Sequence, residues 1–118
     1  MPEAQTDIRN GLLLVRQTQD EGSTLLALEG ELDLANAHTL ELTLHEALHR
    51  GDEVIVDLGK LQFIDSTGIS LLVMALRSPH AERLSFRPSE SPEVCRLFSL
   101  TGLDQRLGFR SAPPVKPA

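Results

Sequence analysis

Glu53-Val54-Ile55-Val56-Asp57-Leu58, followed after a short interval by Phe63-Ile64-Asp65-Ser66-Thr67-Gly68-Ile69-Ser70-Leu71-Leu72-Val73-Met74-Ala75-Leu76-Arg77, is the stretch that decides the fold. Its first part is compact, apolar and rich in β-branched residues, the composition of a central buried strand. Its second part changes period: from Ser66 to Arg77 the pattern is helical, and it stops before Ser78-Pro79, where proline disfavours helix in the residue preceding it.

Upstream, the stretch from Ala35 to Arg50 places Ala37, Leu40, Leu44, Ala47 and Leu48 on one stripe, with Thr39, Thr43 and Glu46 opposite. That predicts an amphipathic helix ending at Gly51. Earlier still, Leu12 to Thr18 and Ser23 to Glu29 are short apolar-rich runs separated by Gln19-Asp20-Glu21-Gly22, whose Asp and Gly favour a turn. They predict a hairpin. Downstream, Leu84 to Arg87 reads as a fourth strand. Pro92 opens a third helix through Leu100, with Gly102 at its end, and Leu107 to Arg110 reads as a last short strand. Residues 1–10 and 111–118 have tail composition, leaving one domain over 11–110. The order of elements predicts an α/β or α+β domain, a sheet with helices packed on it.

Composition narrows the function. A chain of 118 residues and 13.0 kDa, 41% hydrophobic and 24% charged, is sized and composed for one globular domain. Its net charge of -6 repels phosphate backbones and anionic lipid, so nucleic acid is not expected as a partner. The apolar runs Leu12 to Val15 and Ile69 to Leu76, the latter interrupted by Ser70, fall short of the roughly 20 residues that span a bilayer, and no membrane insertion is expected. Glu3 and Asp7 stand where a secretory signal would need a basic region and an apolar stretch, so the expected location is cytoplasmic. Cys95, the single cysteine, sits beside Val94 and Phe98 in a helical pattern and is expected at or near the core.

Several segments together resemble the STAS family, named for sulfate transporters and anti-sigma factor antagonists. They are Gly30-Glu31-Leu32-Asp33 before a helix, Val54 to Leu58, Phe63-Ile64-Asp65-Ser66-Thr67-Gly68, Ser91-Pro92-Glu93-Val94 and Leu100-Thr101-Gly102-Leu103. The resemblance covers about residues 11 to 110; Phe86 to Ser91 departs from it in being rich in Ser and Pro. It implies a mixed β-sheet with α-helices on one side. For a stand-alone member it further implies an anti-sigma factor antagonist, which binds an anti-sigma factor that is also a serine kinase. That kinase phosphorylates the serine corresponding to Ser66, and a PP2C-type phosphatase reverses the modification. A second role the family allows is as the STAS subunit of a membrane lipid-transport complex.

The chemistry at Ser66 can be reasoned independently. Its hydroxyl lies where a strand and loop give way to a helix, near unpaired N–H groups of the first turn. Phosphate there adds about 1.5 to 2 negative charges, partly offset by the helix dipole, so a docked partner would feel the change most. Asp65, and Asp33 if the fold brings it near, add negative charge. The plainer role for Asp65 or Ser66 is a helix N-cap. Thr67 is a secondary phosphoacceptor candidate. In the helix after Ser66, Ile69, Leu72, Val73 and Leu76 form one stripe, Leu71, Met74 and Ala75 fall on the other side, and Ser66, Ser70 and Arg77 line a border. Such a helix is either buried all round or carries an exposed apolar docking patch at Leu71 and Met74. The expected partner-binding set is therefore Asp33, Asp65, Ser66, Thr67, Gly68, Ser70, Leu71 and Met74.

Other chemistries fit less well. His38, His45 and His49 share a helical face with Glu41, but His38 and His49 stand about 16 Å apart along a helix, so only His45 and His49 could share an ion, and a solvated face is the expectation. Asp57 at the end of a strand is similar to a receiver-domain phosphoacceptor, yet Asp20-Glu21 lie in the hairpin turn instead of after a parallel first strand. A serine hydrolase would need G-x-S-x-G and a histidine, whereas only His80 follows Ser66; a phosphate-binding G-x-x-x-x-G-K-S/T is missing too. The expectation is a protein that is not an enzyme and uses neither cofactor nor metal.

Overall fold

The computed structural model describes residues 4–109. Five strands form one sheet in the order β1-β2-β3-β4-β5. β1 (Ala4–Asn10), β2 (Leu13–Asp20) and β3 (Ser23–Leu32) are an antiparallel meander; β3, β4 (Glu53–Ile64) and β5 (Leu84–Arg87) run parallel. The two crossovers are α1 (Ala37–His49) and α2 (Ser66–Leu76). Both step along the sheet in the same direction, and right-handed crossovers of that kind place both helices on one face. α3 (Pro92–Thr101) and the short α4 (Leu103–Arg106) complete that layer.

The core lies between this layer and one face of the sheet. Leu26, Leu28, Val54, Val56, Leu58 and Leu61 point into it and meet Leu40, Leu44, Leu72, Val94 and Phe98 from the helices. On the opposite face Leu25, Ala27 and Ile55 are half-buried, and charge pairs run across them: Arg16 lies 3.3 Å from Glu29 and Arg87 lies 3.7 Å from Asp57.

Several features differ from the sequence reading. Residues 4–10, expected as tail, form β1; its outward polar residues leave Ile8 as its one large apolar side chain, so it lacks the alternation that marks a half-buried strand. The expected strand from Leu107 is absent: Leu107 and Phe109 donate backbone hydrogen bonds to Leu103 and Asp104, continuing the turn of α4. Arg110 and the segment 111–118 lie outside the described residues. Thr43, assigned to the solvent side of α1, is buried and satisfies its hydroxyl on the Thr39 carbonyl at 2.8 Å. Cys95 is exposed, because the buried stripe of α3 is Val94 and Phe98 and Cys95 follows one position round the helix.

Candidate functional site

The parallel strands β3 and β4 end side by side, and the loops leaving them are tied together. Asp65 is the N-cap of α2: one carboxylate oxygen accepts the Gly68 N–H at 3.0 Å, while the other accepts the Leu34 N–H at 3.1 Å. Its own N–H donates to the Leu32 carbonyl at 3.1 Å. One side chain thus starts the helix and clasps the loop after β3. That loop is braced from within by Asn36, only 1% exposed, whose amide oxygen accepts the Asp33 N–H and whose amide nitrogen donates to the Glu31 carbonyl, both at 2.9 Å. Asp33 in turn accepts the Ala35 N–H at 3.0 Å, so Asp33 and Asp65 stand on adjoining loops.

Close packing beneath the site requires two glycines. A Cβ at Gly68 would come within 2.7 Å of Ile64 and 2.9 Å of Leu32, so the first turn of α2 sits on the strand ends with no room for a side chain. Gly30, at φ +96, lets the Leu12 carbonyl approach closely enough to accept the Glu31 N–H at 3.0 Å; any Cβ there would collide with that oxygen.

Because Asp65 takes the cap, Ser66 is the first residue of α2, with its side chain exposed. Ser70 and Met74 follow at four-residue intervals and are also exposed, Met74 to 64%, so they continue one outward line from Ser66. Thr67 is half-buried, and Gly68, Leu72 and Ala75 form the buried stripe; Ala75 thus lies opposite to its expected side. Leu71 is half-buried in a cleft of about 170 Å³ between α1 and α2, shared with Leu44, His45 and Met74. Three exposed apolar residues escaped the sequence reading: Leu34 (76% exposed), Leu12 (63%) and Phe63 (47%). Leu34 donates its N–H to the Asp65 carboxylate next to Ser66, and Phe63, three residues before Ser66, pairs in register with Glu31, whose N–H donates to the Leu12 carbonyl. Each is isolated in a turn or at a strand end, where no periodicity singles it out.

The competing sites separate in space. Ser66 and His80 stand at opposite ends of α2, whose 11 residues span about 16 Å, too far for a nucleophile and its base. His38 pairs with Glu41 at 3.3 Å, whereas His45 and His49 stack with ring centroids 5.8 Å apart. Asp57 accepts the Gly59 N–H at 2.8 Å and pairs with Arg87, while Asp20 and Glu21 lie at the β2–β3 turn, beside the start of β4.

Comparison with known proteins agrees with this architecture. Curated protein sequences give no match. The fold is similar to the crystal structure of an anti-sigma factor antagonist from Mycobacterium paratuberculosis, with a TM-score of 0.68 at 18% identity over 93% of this chain and 88% of that one. It is similar also to the anti-sigma factor antagonist SpoIIAA in its unphosphorylated form, with a TM-score of 0.59 at 20% identity over 92% and 89% of the two chains. The Bacillus cell fate determinant SpoIIAA in the phosphorylated form gives 0.54 at 20% identity, over 92% of each. The family model described as "Mlab, STAS domain" matches residues 15–110, and with the mixed five-stranded sheet and its helical layer this shows that the chain belongs to the STAS domain family.

Proposed function

We propose that the chain is an anti-sigma factor antagonist that binds a kinase-type anti-sigma factor through the surface around Ser66 and is released when Ser66 is phosphorylated. The observation that carries this reading is the exposed Ser66 hydroxyl at the first position of α2, on a rigidly clasped loop and in line with Ser70 and Met74. A kinase needs an accessible hydroxyl, and a partner needs a surface whose shape is fixed before binding. Folds of the same kind solved as an antagonist in unphosphorylated and phosphorylated form support the reading.

The phosphate acts locally. Asp33 and Asp65 already give the neighbourhood negative charge, and the N-terminal dipole of α2 stabilises an added anion by about 0.3 to 1 kcal/mol, so the free domain tolerates it. A bound partner would have to bury a dianion beside two carboxylates. A penalty of about 1.4 kcal/mol already weakens binding tenfold. A PP2C-type phosphatase would restore the binding form. On this reading the chain is a binding protein, not an enzyme, and works in the cytoplasm.

Affinity capture with the unphosphorylated chain tests the assignment. An anti-sigma factor with serine kinase activity is expected, and incubation with it and ATP should put one phosphate on Ser66, located by peptide mass spectrometry. Undiminished incorporation in Ser66→Ala would reject the acceptor and direct attention to Thr67 or Ser70. Capture of a transporter ATPase or permease subunit instead would move the chain to the lipid-transport role.

A further inference from the structure

A cavity lies away from Ser66, between β5, α3 and the residues following α4. Its volume of about 820 Å³ is within the range of small-molecule sites. Phe86, Phe98 and Phe109, three of the chain's four phenylalanines, lie along it with Pro88 and Pro92; Phe86 and Phe98 are buried in the core behind it, so Phe109, Pro88 and Pro92 supply its accessible apolar surface. Phe98 and Phe109 stack with centroids 6.5 Å apart. Against this apolar wall Arg96 is the one cation among the described lining residues, and it forms no ion pair with any of the described residues. Asp104 is on the same lining and accepts the Gln105 N–H at 2.8 Å.

We propose that this cavity binds an aliphatic monocarboxylate of medium chain length, with the chain against Phe109, Pro88 and Pro92 and the carboxylate on Arg96. Apolar walls without a second cation suit a body that asks for no hydrogen bonds and a head that carries a single negative charge. The Asp104 carboxylate opposes a second negative charge, so a carboxylate fits better than a dianionic phosphate. The cavity is built by β5, α3 and residues 104–109 and shares no residue with the Ser66 surface, so this site does not rest on the antagonist reading.

Cys95 supplies a built-in reporter, being the chain's single cysteine, exposed and on the cavity lining. The test measures the rate of Cys95 alkylation by N-ethylmaleimide, and amide NMR shifts of the whole chain, against octanoate, nonanoate, decanoate and uncharged 1-decanol. Binding should tighten about fourfold per added methylene, with shifts concentrated in residues 86–109. Arg96→Gln, a change at an exposed position, should weaken decanoate about tenfold and leave 1-decanol unchanged. Ser99→Trp should fill the cavity and abolish protection at an unchanged unfolding temperature. Absence of a chain-length gradient, equal loss of both ligands in Arg96→Gln, or shifts confined to α2 would overturn the proposal. So would binding to phosphatidylglycerol vesicles without protection by monomeric decanoate, which would make the ligand a lipid surface.

Discussion

The Ser66 end of the domain and the β5–α3 cavity are opposite kinds of surface made by one fold. At Ser66 the backbone is fixed by polar clasps, Asp65 and Asn36 between them holding both loops, and the apolar residues point outward. At the cavity Phe109, stacked on the buried Phe98, stands with Pro88 and Pro92 beside Arg96 and Asp104 on one lining. A projecting surface with a rigid frame suits a protein partner; a concave one with aromatic walls suits a small ligand. Side-chain burial alone therefore does not mark function: what matters is whether the frame beneath the exposed groups is fixed.

Substitutions can break this contrast at graded cost. The largest effect should come from Gly30→Val, which forces a side chain into the Leu12 carbonyl at a positive φ. It should destabilise the fold by about 3 kcal/mol or more, read from chemical denaturation, and disturb the Ser66 loops with it. Met74→Asp comes next: partner affinity should fall about tenfold, about 1.4 kcal/mol, while stability changes by less than about 0.5 kcal/mol, since the side chain is exposed. Decanoate binding should be untouched. An unchanged dissociation constant for the partner would remove Met74 from the interface. Asp65→Ala should cost about 1 kcal/mol of stability through the lost cap and also free the Leu34 amide, seen as faster hydrogen exchange at Leu34 and Gly68. If exchange there stayed slow, Asp65 would not be what joins the two loops.

Much of this was legible in the sequence where side chains repeat. The stripe Ala37, Leu40, Leu44, Ala47 and Leu48 is buried as its spacing requires, and Gly51 and Gly102 follow the helices they were expected to close. β1 was not legible, since an edge strand needs only backbone pairing and shows no hydrophobic alternation. Nor was the turn after Leu103, where short apolar spacing fits strand and helix equally. Around Ser66 the sequence leaves the helix cap open between Asp65 and Ser66. Only the geometry assigns it to Asp65, which accepts the Gly68 N–H three residues on and, from far along the chain, the Leu34 N–H. Leu34 joins the site through that same long-range bond, which no local pattern records, whereas Asn36 braces its own loop through Glu31 and Asp33, five and three residues away.

On the proposed reading, charge at Ser66 controls binding without altering the fold. This is tested most directly by the dissociation constant of the captured anti-sigma factor for the chain before and after stoichiometric phosphorylation at Ser66, measured beside the amide NMR spectrum of each form. Affinity should weaken at least about tenfold, with shifts limited to the start of α2 and the loop after β3. Ser66→Asp should fall between the two forms and Ser66→Ala should match the unphosphorylated chain. Equal affinity of the two forms, or shifts spread across all five strands, would contradict it.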